Sequence, residues 1–172
     1  LQGGAGNDIY LVEAIADFAG DVISDTAGID EIRIAQTTSG TLQLSASTGG
    51  VDRIAIGTGN GVNAISTGTA AINVDASLAG VAGTTGFQIN GNSGVNIITG
   101  SLGIDTLSGG AGNDIYMISS LATYTNGVTA DRITDTGGGA DQIRFAGSGA
   151  LTLSANTSGI DRIVIGTGLL EL

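Results

Sequence analysis

The chain has 172 residues, 31 of them Gly, and contains no Pro, Cys, His, Trp or Lys. Sixteen acidic residues against five Arg give a net charge of −11. Those absences exclude Ser-His and Cys-His nucleophile pairs, ordinary zinc sites, haem and iron–sulfur ligation, phosphate-loop lysines and disulfides.

The acidic excess repels phosphate, so no nucleic-acid partner is expected. Anionic membrane surfaces are disfavoured for the same reason. Membrane insertion is not expected either, because Glu13, Asp17 and Asp21 interrupt the most apolar early stretch well short of a membrane span.

Ile, Val, Leu and Ala lie in short runs between Gly and small polar residues, which predicts many short strands joined by tight turns. The first turn, in GGAGNDIYL at 3–11, leads into a strand centred on Tyr10. Further strands are expected at Ile23, Ile32, Leu42, Ile54, Ile65, Val74, Ile89, Ile98, Leu107, Tyr116, Ile133, Ile143, Leu151 and Ile163. This amounts to one short strand per step of roughly ten residues, with period-2 alternation inside it. In DRIAI at 52–56, DQIRF at 141–145 and DRIVI at 161–165, the alternation sends Ile54, Ile56, Ile143, Phe145, Ile163 and Ile165 inward. It sends Arg33, Arg53, Arg132, Arg144 and Arg162 outward, where pairs with neighbouring acids are worth about 0–1 kcal/mol each. Tyr10 and Tyr116 fall on core positions, with packing as their expected role.

Repeats appear at two scales. GGAGNDIYL at 3–11 returns as GGAGNDIYM at 109–117, and GGVDRIAIGTG at 49–59 returns as SGIDRIVIGTG at 158–168. Residues 1–108 therefore read as one long repeat unit and 109–172 as the start of a second, within one continuous solenoid. The chain opens inside such a repeat and is read as a piece of a longer protein. On the finer scale, Gly91–Thr99, Gly100–Ser108 and Gly109–Met117 are consecutive nonapeptides. Each has Gly at position 4, Asn or Asp at position 6 and an apolar residue at position 8, the pattern G-G-x-G-x-D-x-U-x.

Gly density and β-branched content argue against helices, and nine-residue repeats leave too little strand for a membrane barrel. The expected fold is all-β: a parallel β-roll or β-solenoid with two short strands per coil and Gly-rich turns. Two strands per coil place alternate turns on opposite edges. Counting the strands puts Asp8, Asp30, Asp52, Asn96, Asp114, Asp141 and Asp161, each two residues after a Gly, on one edge. In this count both GGAGND turns share that edge, while Asn63, Asp105, Asp21 and Asp131 lie on the other. Coils stacked about 4.8 Å apart would set the carboxylates in a repelling column. Ca²⁺, which takes carboxylate and carbonyl oxygens, is the expected neutraliser; Mg²⁺, with its rigid octahedral demand, suits such turns less.

The nonapeptides resemble the RTX, or haemolysin-type calcium-binding, repeat family. In that family each calcium lies between two same-edge turns one coil apart, held by the position-6 Asp and by turn carbonyls. The resemblance implies Ca²⁺ at Asp8 with Gly3, Gly4 and Gly6, and at Asp114 with Gly109, Gly110 and Gly112. The second ion would be shared with the turn that carries Asn96, whose neutrality weakens it. Asp105 matches position 6, and Asp30, Asp52, Asp141 and Asp161 are further candidates on looser turns. GGAGND-Y followed by an acidic D-V-I-x-D stretch, as at 21–25, is also similar to longer family units.

The function this implies is a non-catalytic, calcium-binding structural segment of a secreted or surface bacterial protein, such as an adhesin, toxin or surface-layer protein. An extracellular or cell-surface location and type I secretion follow from the same resemblance. Calcium ions, self-assembly or a cell-surface polysaccharide are the partners it suggests. The alternative is a carbohydrate-active or carbohydrate-binding β-helix, but acid–base chemistry needs acid, base and cation gathered in a groove.

Overall fold

The computed structural model describes residues 1–58, 65–80, 84–119, 121, 124, 130–153 and 155–166. Its strands are β1 (Ile9–Val12), β2 (Ile23–Ser24), β3 (Glu31–Ile34), β4 (Gly40–Gln43), β5 (Thr48–Gly49), β6 (Arg53–Ile56), β7 (Ile72–Asp75) and β8 (Thr85–Asn90). They continue as β9 (Ile97–Thr99), β10 (Ile104–Ser108), β11 (Ile115–Ile118), β12 (Arg132–Thr134), β13 (Gln142–Phe145), β14 (Thr157–Ser158) and β15 (Arg162–Ile165). One helical turn, α1 (Ile15–Phe18), follows β1. Among the described residues no helix is long and apolar enough to cross a membrane.

The strands stack into a seven-stranded sheet, β1-β3-β6-β8-β10-β12-β14, and a six-stranded sheet, β15-β13-β11-β9-β7-β4, with β2-β5 as a short third ladder. Every pairing between these strands is parallel. Chain that alternates between two parallel sheets is a β-roll, and its core is the column of side chains between them.

That column is a ladder of aliphatic rungs in register. In the seven-stranded sheet it runs Tyr10, Ile32, Ile54, Ile89, Leu107 and Ile133. In the six-stranded sheet it runs Leu42, Val74, Ile98, Tyr116, Ile143 and Ile163. Ile32, Leu42, Ile54, Ile89, Ile98, Ile133 and Ile143 are wholly buried. Each such rung contributes about 1.5–3 kcal/mol from burial, and period-2 alternation follows because only one face of each strand meets the opposite sheet.

The stack departs from the sequence reading at Ile65. Ile65 is no rung: it pairs antiparallel with Thr58 through bonds of 3.0 and 2.7 Å and is 56% exposed. Val74 is the next rung after β6 and lies on the six-stranded side. The chain therefore crosses an odd number of times between the two GGAGND turns, not an even number. β1 lies in the seven-stranded sheet and β11 in the six-stranded sheet, so the two turns sit on opposite edges.

Smaller differences have local causes. Leu151 packs on the core outside any strand, and β14 occupies the place beside β12. Ile163 and Ile165 keep the inward register but are 40% and 74% exposed, because β15 has one neighbour in the sheet. Arg33 and Arg144 alternate away from the core rungs yet are buried. Arg33 pairs with Glu31 at 2.5 Å, which supplies the counter-charge that burial requires.

Candidate metal centre

Each edge carries a ladder that links coil to coil. On the first, the backbone N–H of Asp8 donates to Asp30 Oδ1 at 2.8 Å and that of Asp30 to Asp52 Oδ2 at 2.9 Å. On the second, Asn96 N–H donates to Asp114 Oδ1 at 2.7 Å, Asp114 to Asp141 Oδ1 at 2.8 Å, and Asp141 to Asp161 Oδ2 at 2.9 Å. One carboxylate oxygen per coil is thus taken by the neighbouring coil, and the other is left over.

At two places a ladder pair meets a third carboxylate. Asp8, Asp25 and Asp30 form one group and Asp114, Asp135 and Asp141 the other, with one oxygen of each residue within 4.8 Å of the rest. The second group is buried, with Asp114 wholly so. Asp8 Oδ2 and Asp114 Oδ2 are buried and meet no hydrogen-bond partner. A lone buried carboxylate oxygen beside two more carboxylates is costly unless a cation completes it.

The turns that build these groups follow one local plan. The position-5 Asn locks the next coil: Asn7 Oδ1 accepts Ile29 N–H at 3.0 Å and Asn113 Oδ1 accepts Ala140 N–H at 2.8 Å. Gly28 and Gly139 have φ of +144° and +146°, and a Cβ at either would collide with the carbonyl of Gly6 or Gly112. Only Gly lets the acidic turn seat against the GGAGND turn. Tyr10 and Tyr116 then reach out of the core, and their hydroxyls donate to Asp25 Oδ2 and Asp135 Oδ2.

The charge balance matches this crowding. Burial, with Asp135 and Asp141 alongside, pushes the Asp114 carboxyl up to about 7. Asp141 is raised as well, chiefly by burial. In the more open first group, the Tyr10 hydroxyl holds Asp25 below the usual carboxylate range. Tyr10 itself is pushed up to about 12 by burial and by Asp25, and Tyr116 is raised by burial and its bond to Asp135.

The remaining candidates stand apart from the two groups. Asp105 lies on the seven-stranded edge with both oxygens engaged: Oδ1 accepts Phe87 N–H and Ser101 Oγ–H, and Oδ2 accepts Ser101 N–H, at 2.7–2.8 Å. Burial raises its carboxyl to about 6. Asn96 is committed to the Ile72 carbonyl at 2.6 Å and to Asn92, so the turn before Asp114 supplies no acid. The acidic partners of Asp114 lie in the turn after it. Asp52 and Asp161 are exposed ladder members, Gly3, Gly4 and Gly6 shape the first turn, Gly109, Gly110 and Gly112 the second, and Asn63 lies outside the described residues. Asp25 and Asp135 were not among the sequence candidates; their signal was the D-x-I-x-D spacing after each GGAGND-Y.

The class defined by this fold and these turns is a parallel β-roll whose coil edges carry clustered carboxylates. Residues 90–117 match the family of RTX calcium-binding nonapeptide repeats, in four copies. Neither a curated protein nor a solved structure matches the chain.

Proposed function

We propose that the chain is a calcium-stabilised structural segment of a secreted or surface-exposed bacterial protein, without catalytic chemistry of its own. The observation that carries this is Asp114, wholly buried with its Oδ2 unpartnered, in a group with Asp135 and Asp141. The donor set is all oxygen and the site is compact, which fits Ca²⁺ with its six to eight oxygen ligands. Asp114, Asp135 and Asp141 would hold one ion and Asp8, Asp25 and Asp30 another, with carbonyls of the Gly turns completing each shell. A bound ion would supply charge neutralisation across the coil-to-coil contact. Asp52 and Asp161 extend the ladders as weaker outer ligands, while Asp105 and Asn96 cap turns within the protein. Residues 1–108 and 109–172 then form successive long units, each with its ion site near its start. Export by type I secretion and work as an adhesin, toxin or surface-layer segment accord with the repeat family.

Ion binding should be coupled to folding. Far-UV circular dichroism in excess chelator should show partial loss of β-structure, regained on titration with calcium but not with equal magnesium. Identical spectra in chelator and calcium would overturn the reading.

A further inference from the structure

The chain has three tyrosines, and two of them touch the acidic groups. Tyr116 fills a core rung and is wholly buried, yet its hydroxyl donates to Asp135 Oδ2 and accepts the Gly109 N–H at 2.6 Å. Tyr10 repeats the arrangement with Asp25 Oδ2 and the Gly3 N–H at 2.8 Å. A phenol has a single proton. With an N–H already directed at its oxygen, that proton is left for the carboxylate, so the sense of the bond is set.

The backbone tethers the same carboxylates. Gly109 N–H also lies 3.2 Å from Asp135 Oδ2, and Asp135 Oδ1 accepts Gly137 N–H at 3.0 Å. In the first group, Gly3 N–H lies 3.2 Å from Asp25 Oδ2, and Asp25 Oδ1 accepts Thr26 N–H at 2.7 Å. Beside each tethered acid stands an open one, Asp114 or Asp8, with an unpartnered buried Oδ2. Ile98 and Leu107, the rungs of the neighbouring nonapeptides, carry no hydroxyl, and among the described residues no acidic group of three forms at their turns. The third tyrosine, Tyr124, is buried too, but its hydroxyl meets Thr157 Oγ1 at 2.7 Å.

We propose that Tyr10 and Tyr116 are positioning residues of the two calcium centres, each orienting through its hydroxyl a ligand outside the nonapeptide, Asp25 or Asp135. The inference rests on the calcium reading above. Three carboxylates held together repel before an ion arrives. The tyrosine proton offsets part of that repulsion and keeps one carboxylate in place, so less ordering remains when the ion enters.

The test uses the whole chain with Tyr10→Phe, Tyr116→Phe, the double variant and Tyr124→Phe. Phe keeps the ring in the core and removes only the hydroxyl. The calcium midpoint of the double variant should rise about 10- to 100-fold, the range seen when outer-shell partners of metal ligands are lost. Tyr124→Phe, which removes a hydroxyl bonded to Thr157 Oγ1 rather than to a carboxylate of either group, should leave the midpoint in place. Terbium luminescence gives a second readout, because a chain without Trp sensitises the ion through nearby tyrosine alone. Emission excited through tyrosine should survive Tyr124→Phe and vanish in the double variant. Equal calcium midpoints for the parent and the double variant, or terbium emission retained in it, would overturn the inference and leave the calcium reading standing. A parent chain that binds neither ion would overturn both.

Discussion

Asp114 concentrates the energetics of the site in one residue. Its carboxyl is raised from 3.8 to about 7, first by burial and then by Asp135 and Asp141. A folded-state value above the unfolded one means that the folded chain binds the proton more tightly. In chelator, this group's contribution to stability is therefore fullest below 3.8 and is lost as pH rises through about 7. Calcium competes with the same proton, so the calcium midpoint should fall over that rise. Melting temperatures in chelator and calcium titrations across this range check both signs; a calcium midpoint indifferent to pH would place the ion elsewhere. Substitution separates ion ligand from ladder member. Asp114→Asn should weaken calcium-dependent folding by at least tenfold. Asp131→Asn should act equally with and without calcium, because Asp131 accepts the Asp105 N–H at 2.9 Å and belongs to neither carboxylate group of three. Its cost is about 1–3 kcal/mol, that of a weakened buried hydrogen bond.

At the level of strands and turns, a residue's worth depends on whether it is a rung. Ile98 is wholly buried between Val74 and Tyr116, so Ile98→Ala should cost about 2–5 kcal/mol. Ile65, at 56% exposed, should cost under about 0.5 kcal/mol. Denaturant midpoints of the two variants decide it; similar losses would return Ile65 to the core and both GGAGND turns to one edge. The turns offer a parallel comparison. Gly138 and Gly139 both have positive φ, but a Cβ at Gly138 meets open space while one at Gly139 strikes the Gly112 carbonyl. Gly138→Ala should cost about 1 kcal/mol of backbone strain. Gly139→Ala should cost more and should also raise the calcium midpoint, because it forces apart the turns that hold Asp114 and Asp141.

Over the whole molecule, stability is a sum of neighbouring contacts along the stack, so losing an ion acts locally before it acts globally. The central coils are satisfied without one: Asn92 and Asn96 bond each other and the Ala70 and Ile72 carbonyls, and Asp105 is closed by Ser101 and Phe87. In chelator, amide exchange should therefore accelerate first at 25–30 and 135–141, while 89–107 keeps its protection. Uniform loss along the chain would show that the ions support the stack as a single unit.

Much of this was legible in the residues themselves. The inward rungs, the Gly-bearing turns, the nonapeptide run and the parallel β-roll follow from periodicities of two and nine, which depend on neighbours in the chain. What the tertiary structure decided was cumulative or distant. Which edge a turn occupies is the parity of every crossing before it, so one exposed residue, Ile65, moved each later turn to the opposite side. The joining of Asp25 to Asp8, and of Asp135 to Asp114, depends on one turn seating against another through Gly28 or Gly139. The burial of Arg33 and Arg144 depends on what covers the outer face of a sheet, which alternation along a strand does not record. Local sequence sets which way a side chain points within its strand; only the packed stack sets what it meets there.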